Sequence, residues 1–498
     1  MHTLRFLLQT TKSDDYEINR RFYAYYKLYN IAVKYVRKRM TRLSRHALYQ
    51  QYRSEYILLL KQNKLDKSQR KRKNELSRLM TEIRTELRLT EAGIKNYLKH
   101  VHKKYKKLVS SQQAQTAAER VNKALENCLF KNGKQIHYKK FQDIHTVGGK
   151  SMKNGVYFDK DSMTIEWMKT VIPLKYDKND NYITESLDHT MKYIDIERKM
   201  FNNGYHYYAI FVIDDIAPKK LIPASIDITC GIDPGISTIA AVTERAALLQ
   251  ELATDYKHYN QQIQRLNVKI DRSLRLHNPN KYNPDGTYKK GNREKWIRTK
   301  QCRKWYNKRR TLYRKKSEYI RHAHNKICNT LIQMAGHFIV EDMDFKELAK
   351  RAKKTKRQET VSIINGKPVR KYKRKKRFGS SITNRSPGLL LLLLEQKCKQ
   401  YELLYETADT KTIKASQFNH TTNTYEKIPL KQRWKQIDNH DVQRDLYSAF
   451  LLAHVNNTKN KIDINKCKND FPVFLQIQNN LIIQMKEQNI SMKQCFGF

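Results

Sequence analysis

The chain has 498 residues, and its 99 Lys and Arg against 48 Asp and Glu give a formal net charge of +51. A field of this sign opposes compaction and attracts polyanions. The charge therefore excludes most soluble metabolic enzymes and predicts a nucleic acid partner. With 39% hydrophobic residues, 10 Pro and 15 Gly, the composition is that of a folded chain of about two to four domains.

The sequence also indicates a compartment. The longest uniformly apolar run, Leu389 to Leu394, is far shorter than the ~20 residues of a membrane-spanning helix, and the first residues lack the apolar stretch of a secretory signal. The seven cysteines are scattered and never spaced as Cys-x-x-Cys. We therefore expect a reducing cytosol, with no disulfide framework and no zinc site evident from the sequence.

Residues 1–10 predict one short strand, because Leu4, Phe6 and Leu8 alternate with their neighbours. A long amphipathic helix follows, with a capping box predicted at Asp14 and Glu17. Similar basic helical patterns continue to about residue 129. These patterns predict a helical region over 13–130.

The outer face of the first helix combines basic side chains with many tyrosines. A solvated helix face is one interpretation of such a pattern. Phosphate contact combined with base stacking explains the scarcity of acids and the abundance of Tyr better. The candidate nucleic-acid-binding residues on this face are Arg20, Arg21, Lys27, Lys34, Arg37 and Lys38.

From 131 to 225 the pattern changes to short β-rich runs separated by Gly, Asn and Asp turns. The pattern predicts a small β-barrel or sheet module. We expect strand 1–12 to belong to this module, so that the helical region is an insertion within it.

Residues 226–456 alternate strands and helices, which predicts an α/β domain. Adjacent strands are expected at 226–230 and 236–242, followed by a long helical stretch at about 246–335 and a buried strand at 337–340. A core helix is expected after Ser386-Pro387. Residues 457–498 read as an Asn- and Lys-rich tail with one amphipathic segment and no evident chemistry.

The most basic segment is 346–377, with fifteen Lys and Arg against two Glu. Gly366 near its centre suggests a mobile loop, and a disordered tract is the alternative. The candidate nucleic-acid-binding residues in this segment are Lys371, Lys373, Arg374, Lys375, Lys376 and Arg377.

Three acidic motifs carry the candidate chemistry. Asp233 lies in Gly-Ile-Asp-Pro-Gly at the end of a predicted strand, beside glycines that would let a phosphate approach, although an ordinary Asp-Pro-Gly turn is the alternative for this motif alone. Glu341 ends a second apolar strand, and Asp445 begins a helix whose small Ser448 and Ala449 permit close packing on the sheet. Carboxylates that converge from different elements suit two Mg²⁺ ions, which prefer oxygen ligands.

The three motifs in this order follow the RNase H-like plan and resemble the split RuvC nuclease motifs of the TnpB family of RNA-guided nucleases, which type V CRISPR effectors share. The resemblance implies a multidomain α+β chain: a helical recognition lobe inserted in a β-barrel wedge module, then a RuvC-like α/β nuclease domain with a helical insertion. It further implies that Asp233, Glu341 and Asp445 are the catalytic metal ligands. Asp441 is the runner-up to Asp445, because a helix through 438, 441 and 445 would place all three acids on one face.

One departure from the family concerns its four-cysteine zinc knuckle. Only Cys398 lies between Glu341 and Asp445, so we expect a degenerate knuckle at 398–438 beside the lid region 346–377, with no zinc. His420 is expected to be a hydrogen-bonded structural residue rather than a ligand.

The resemblance implies an RNA-guided DNA endonuclease with two Mg²⁺ ions and a structured guide RNA. Its partners would be double-stranded target DNA, the guide–target heteroduplex and the displaced strand, in a monomeric ribonucleoprotein of the bacterial cytoplasm that is nucleoid-associated when bound to DNA. The alternatives are a CRISPR-RNA-guided compact type V effector, a nuclease-inactive RNA-guided repressor, and a protein-only transposase or Holliday-junction resolvase.

Overall fold

The structure is a computed structural model that describes residues 1–62, 66–130, 133–152, 155–201, 204–349, 357–364, 367–372, 378–429, 431–456, 461–492 and 495–498. The chain is a mixed α/β protein that divides into two compact units, Met1–Pro218 and Lys219–Phe498. In the described ranges, no helix is both long and apolar enough to cross a membrane.

The N-terminal unit contains a seven-stranded antiparallel sheet in the order β2-β6-β7-β1-β5-β4-β3. Its strands are β1 (His2–Leu8), β2 (Thr146–Val147), β3 (Val156–Asp159), β4 (Thr164–Trp167), β5 (Thr170–Lys175), β6 (Met191–Phe201) and β7 (Gly204–Ile213). As predicted, β1 pairs with later strands, β5 and β7, and buries Leu4, Phe6 and Leu8. The expected barrel is not closed by backbone pairing, because β2 and β3 are edge strands in the described residues.

The helices of this unit lie between β1 and β2, apart from one short helix after β5. They are α1 (Lys12–Leu43), α2 (Ala47–Leu60), α3 (Lys67–Glu86), α4 (Glu91–His102), α5 (Ser111–Phe130) and α6 (Asn181–Asp188). Helix α1 begins earlier than predicted: Thr11 is the N-cap and forms the capping box with Asp14, whose carboxylate accepts a hydrogen bond from the Thr11 N–H at 2.8 Å.

The C-terminal unit is built on a five-stranded sheet in the order β10-β9-β8-β11-β14, antiparallel from β10 to β8 and parallel from β8 to β14. The strands are β8 (Thr229–Pro234), β9 (Thr238–Val242), β10 (Ala247–Glu251), β11 (His337–Glu341) and β14 (Leu404–Ala408). Strand β10 falls in the stretch predicted to be helical. It pairs with β9 along all five residues and buries Leu249.

Shorter strands form three hairpins outside this sheet: β12 (Arg357–Ile364) with β13 (Lys367–Tyr372), β15 (Phe418–Asn419) with β16 (Thr424–Tyr425), and β17 (Trp434–Ile437) with β18 (His440–Gln443). The helices of the unit are α7 (Tyr256–His277), α8 (Lys300–Met334), α9 (Phe345–Ala349), α10 (Gly379–Arg385), α11 (Pro387–Tyr401), α12 (Thr410–Ile413), α13 (Arg444–Ala453) and α14 (Ile464–Glu487). Helix α11 starts at Pro387, as predicted.

Helix α14 lies in the segment that the sequence suggested was a tail. Phe471 and Phe474 are buried in the same hydrophobic cluster as Phe450 of α13. The buried Gln478 accepts a hydrogen bond from the Gln443 N–H at 2.8 Å, and the Gln443 side chain in turn caps α13. The segment therefore helps to fix where α13 begins.

Candidate active site and nucleic-acid-binding residues

Asp233 and Glu341 lie on neighbouring parallel strands. Ile232 of β8 pairs with Val340 of β11, and each acid directly follows its member of that pair. Because parallel strands bring their carboxyl ends to one edge of the sheet, the two side chains meet there. Glu341 is only 6% exposed. The structure thus brings together the first two acids that the sequence singled out.

The third acid comes from α13, which packs directly on β8. A Cβ added at Gly231 would lie 2.0 Å from the Ala449 carbonyl oxygen and 2.3 Å from the Ala453 nitrogen. The close packing predicted from Ala449 and Ser448 is therefore confirmed. The role suggested for the glycine is wrong at this position, because helix backbone rather than an approaching phosphate fills the space above it.

Asp445 stands in the first turn of α13 and is 9% exposed. Arg433 Nη1 lies 3.3 Å from its Oδ2, and Arg444 Nε lies 3.5 Å from its Oδ1. Both arginine side chains are largely buried. The third carboxylate is thus held by two guanidinium groups next to the acids of the sheet.

The three acids perturb one another's protonation. Burial raises the pKa of Asp233 well above its ordinary value, and the charges of Glu341 and Asp445 raise it further, against the opposing effects of Ser448 and Arg444. Burial also raises the pKa of Glu341, whereas a hydrogen bond from Asp233 and the charge of Arg444 lower it. A hydrogen bond between two carboxyl groups requires a proton, so Asp233 and Glu341 share one in this arrangement.

The donor set fits a hard divalent cation. Three carboxylates from two strands and a helix offer only oxygen ligands, which Mg²⁺ prefers, and a bound cation would replace the proton between Asp233 and Glu341. Among the residues that the structure describes, no three His, Cys, Asp or Glu side chains are already arranged around a metal position. Because Asp445 is already paired with Arg433 and Arg444, a cation would compete with them for its carboxylate.

The runner-up Asp441 lies elsewhere. It is exposed on β18, where its carboxylate accepts a hydrogen bond from Gln436 Nε2 at 2.7 Å. The assumption of one helix through 438, 441 and 445 is wrong, because Asp438 and Asn439 form the tight turn of the β17–β18 hairpin with φ of 49° and 58°. The helix starts only at Arg444.

The segment 398–438, where a degenerate knuckle was expected, contains His420, which forms a hydrogen-bonded pair with Tyr447. His420, 1% exposed, places Nδ1 2.6 Å from the Tyr447 hydroxyl, which also accepts from the His420 N–H. Burial lowers the pKa of His420 to about 4. Lys435 Nζ lies 4.1 Å from the centre of the Tyr447 ring and donates to the Phe418 carbonyl, and burial lowers its pKa to about 8. The expected structural role of His420 matches these contacts.

The lid region contains the β12–β13 hairpin, which lies between α9 and α10 in the chain. Helix α10, which follows the lid region in the chain, contacts the C-terminal sheet: Ser381 Oγ lies 3.0 Å from Ser237 Oγ, in the turn after Asp233, and the buried Arg385 pairs with Glu251. Lys371 lies on β13. The candidates Lys373, Arg374, Lys375, Lys376 and Arg377 lie outside the described residues.

In the N-terminal unit, most of the α1 candidates face outward. Arg20, Lys34 and Lys38 are exposed, although Arg20 is paired with Glu17 at 2.7 Å. Lys27 Nζ lies 5.1 Å from the Tyr23 ring centre, and the Arg37 guanidinium lies 5.3 Å from that of Tyr138. Cations and aromatic rings are thus interleaved along this face.

Arg21 is the exception on α1. It is 3% exposed, donates to the Trp167 carbonyl at 2.6 Å and stacks on the Trp167 ring at 5.1 Å. Its assignment to nucleic acid binding is wrong, because the guanidinium satisfies backbone acceptors at the end of β4 and is buried among them.

No protein-family model matches the sequence, and no curated protein matches it. Solved structures that resemble the chain include a cryo-EM structure of a Cas12f1–sgRNA–target DNA complex, with 12% identity over 92% of this chain and 99% of that one and a TM-score of 0.44. Another is a cryo-EM structure of a CRISPR–Cas12f ternary complex, with 13% identity over 93% and 100% and a TM-score of 0.24. The assignment of site residues rests on the contacts described above.

Proposed function

We propose that the chain is an RNA-guided DNA endonuclease that hydrolyses phosphodiester bonds at a single RuvC-like site. The observation that carries the proposal is the convergence of Asp233, Glu341 and Asp445 from two adjacent parallel strands and a helix. The sheet, three antiparallel strands continued by two parallel ones, is consistent with the RNase H-like plan of the motifs. Like charges held this close cost stability, which favours a catalytic over a structural role.

Each part of the site has a proposed task. Asp233, Glu341 and Asp445 would hold the cations, and the charge of Arg444, which lowers the pKa of both sheet acids, would partly offset the burial that raises it. When bound, two Mg²⁺ ions would supply an activated water and stabilise the leaving 3′ oxygen, which leaves a 5′ phosphate on the product. Gly231 allows α13 to bring Asp445 to the sheet.

The proposed partners follow from charge and aromatic content. The excess of 51 positive charges suits a structured guide RNA and the guide–target heteroduplex, which proteins hold by backbone and shape while base pairing supplies sequence specificity. RNA and target DNA are also the partners in the Cas12f1 complex named above. For this chain we propose the outer face of α1 and the basic lid as contacts to nucleic acid.

Two alternatives share much of this proposal. A guide transcribed from a CRISPR array would change the source of the RNA but not the chemistry. A nuclease-inactive repressor would need no cation, and a crowded carboxylate cluster would then bring a cost in stability with no gain. The three acids therefore favour a nuclease over a repressor.

The test is to purify the protein from its native locus, sequence the RNA that accompanies it, and assay cleavage of matched DNA. We expect a discrete RNA and Mg²⁺-dependent cutting that EDTA stops. Asp233→Ala and Glu341→Gln should abolish cutting and leave RNA and target binding within a few fold.

The matched control is Glu395→Gln, which removes a half-buried carboxylate paired with Lys399 in the same unit. Its cutting should be that of the wild type. Protein without RNA, or full cutting by Glu341→Gln, would contradict the proposal.

A further inference from the structure

The helical insertion between β10 and β11 is strongly basic. Residues 256–334 contain 22 Lys and Arg against four Asp and Glu. Helices α7 and α8 pack on each other through Ile263, Leu266 and Leu312. Most of the Lys and Arg side chains are exposed, with Lys281 and Lys316 as buried exceptions. A protein surface with this excess of positive charge attracts polyanions.

The loop that joins the two helices holds a cluster of aromatic rings, which we call the tip cluster: Tyr282, Tyr288 and Trp296. The ring centre of Tyr288 lies 5.2 Å from that of Tyr282 and 5.2 Å from that of Trp296. Tyr288 nonetheless leaves 55% of its surface exposed. One aromatic ring is thus supported by two others and presented to solvent.

The loop is held rigidly by buried polar side chains. Asn278 accepts from the Ile297 N–H at 2.7 Å and donates to the Ile297 carbonyl at 2.9 Å. Lys281, 3% exposed, donates to the Glu294 carbonyl at 2.7 Å, and its Nζ lies 4.9 Å from the Trp296 ring centre. Because these contacts exist before any ligand arrives, the entropic cost of binding at the cluster is low.

Beside Tyr282 lies a groove of about 450 Å³ lined by Arg275, Pro279, Tyr282, Asn283, Pro284, Gly286 and Lys289. Its volume is in the range of small-ligand sites. The Arg275 guanidinium lies 4.7 Å from the Tyr282 ring centre, and Lys289 and its neighbour Lys290 are exposed. Arg275 is paired with Asp271 at 2.7 Å and donates to the Gly286 carbonyl at 3.0 Å, so the exposed Lys289 and Lys290 are the cations of this loop that can reach phosphates.

We propose that the tip cluster binds an unpaired stretch of RNA, with a base stacked on Tyr288 and its phosphates neutralised by Lys289 and Lys290. Exposed rings favour unpaired nucleotides, because the bases of a duplex are already stacked on one another. Guide RNA is the occupant that the charge favours: a basic surface that persists in the free protein is best covered by the resident polyanion rather than by a transient DNA target. The inference rests on the proposed RNA-guided function.

Photocrosslinking tests the proposal without DNA or Mg²⁺. Full-length protein freed of RNA is irradiated with a single-stranded RNA of about 12 nucleotides that contains 5-iodouridine, and crosslinked peptides are mapped. We expect crosslinks within residues 279–299. Tyr288→Ala should reduce their yield about tenfold, the change that corresponds to 1.4 kcal/mol of stacking, whereas Tyr288→Phe keeps the ring and should retain them.

Tyr313→Ala is the matched control, since Tyr313 is 52% exposed on α8 and does not belong to the tip cluster. It should leave the yield unchanged, as should Asp233→Asn, so a failure of the nuclease proposal would not affect this readout. Crosslinks only outside 279–299, or equal yields with duplex RNA, would each overturn the proposal.

Discussion

The pKa values of carboxyl groups shift in opposite directions in the two units, although both units belong to the same positively charged chain. In the N-terminal unit, Glu119 lies between Lys95 and Lys150, with Lys95 Nζ at 2.7 Å. Its partial burial opposes ionisation, but hydrogen bonds from Lys150 and Lys95 lower its pKa below the ordinary value. In the C-terminal unit, burial and neighbouring acids raise the pKa of Asp233 and Glu341.

The difference shows that net charge does not set local protonation. A chain with an excess of 51 positive charges could pair every acid with a cation, and Glu119 follows that rule. Asp233 and Glu341 instead face each other across adjacent strands, where burial, together with the charge of Asp445, raises their pKa values despite the distant positive excess. The arrangement costs folding stability, a cost that the proposed divalent cation would reduce.

The largest expected effect comes from breaking the geometry that crowds the acids. Gly231→Ala would place a methyl group 2.0 Å from the Ala449 carbonyl oxygen, so α13 must move and carry Asp445 with it. We expect loss of cutting and a decrease of at least about 3 kcal/mol in the free energy of unfolding of this unit, measured by thermal or chemical denaturation.

Gly388→Ala is the control for Gly231→Ala. A Cβ at Gly388 would meet only Phe345 Cδ2 at 3.6 Å, an ordinary contact, so we expect unchanged cutting and unchanged or slightly higher stability. Normal stability of Gly231→Ala would mean that α13 does not depend on this close approach.

The next largest effect is a change in melting temperature, which should be positive when an acid of the C-terminal unit is neutralised and negative when an acid of the N-terminal unit is. When folding raises the pKa of a carboxyl group, the folded state becomes less stable as the pH rises from the ordinary pKa of that group towards its raised pKa. Asp233→Asn removes that cost, and should raise the melting temperature of metal-free protein at pH 7 by about 2–4 °C per kcal/mol gained while abolishing cutting.

Glu119→Gln should lower the melting temperature slightly and leave cutting intact, because the pKa of Glu119 is lowered on folding and its charge is stabilising above the ordinary pKa. Differential scanning calorimetry in EDTA measures both variants. A destabilised Asp233→Asn would show that the cluster is not under repulsion.

The smallest expected effect is the release of protons when Mg²⁺ binds. Because burial raises the pKa values of Asp233 and Glu341, and a cation would compete with the proton that the pair shares, Mg²⁺ affinity should increase with pH, and binding should release protons. Isothermal titration calorimetry in two buffers of different ionisation enthalpy measures the release. Asp233→Asn should remove it, and pH-independent binding by the wild type would refute the shared proton.

The three acids could be predicted because the signals that mark them are local in the sequence. Asp233 and Glu341 end apolar strands, and Asp445 begins a helix with small residues, all of which follows from short windows of sequence. The partners Arg433 and Arg444 were not assigned a role, because their approach to Asp445 depends on the β17–β18 hairpin. An arginine next to the acid, at 444, was the available signal.

The errors came from contacts that are distant in sequence or from turns. Arg21 lies three residues after Ile18 on the apolar stripe of α1, but its acceptors come from β4, about 146 residues away. Asp441 was placed on a helix by spacing alone, whereas positive φ at Asp438 and Asn439 makes a hairpin. The Asp-Asn pair itself was the missed turn signal.

The central claim is that Asp233, Glu341 and Asp445 form one cation-dependent nuclease site. The most direct measurement compares Mg²⁺-dependent DNA cutting by Asp445→Asn and Asp441→Asn, each purified with its RNA. Asp445 lies beside the sheet acids and Asp441 is exposed on the hairpin. We expect Asp445→Asn to be inactive and Asp441→Asn to cut like the wild type; active Asp445→Asn with inactive Asp441→Asn would contradict the site.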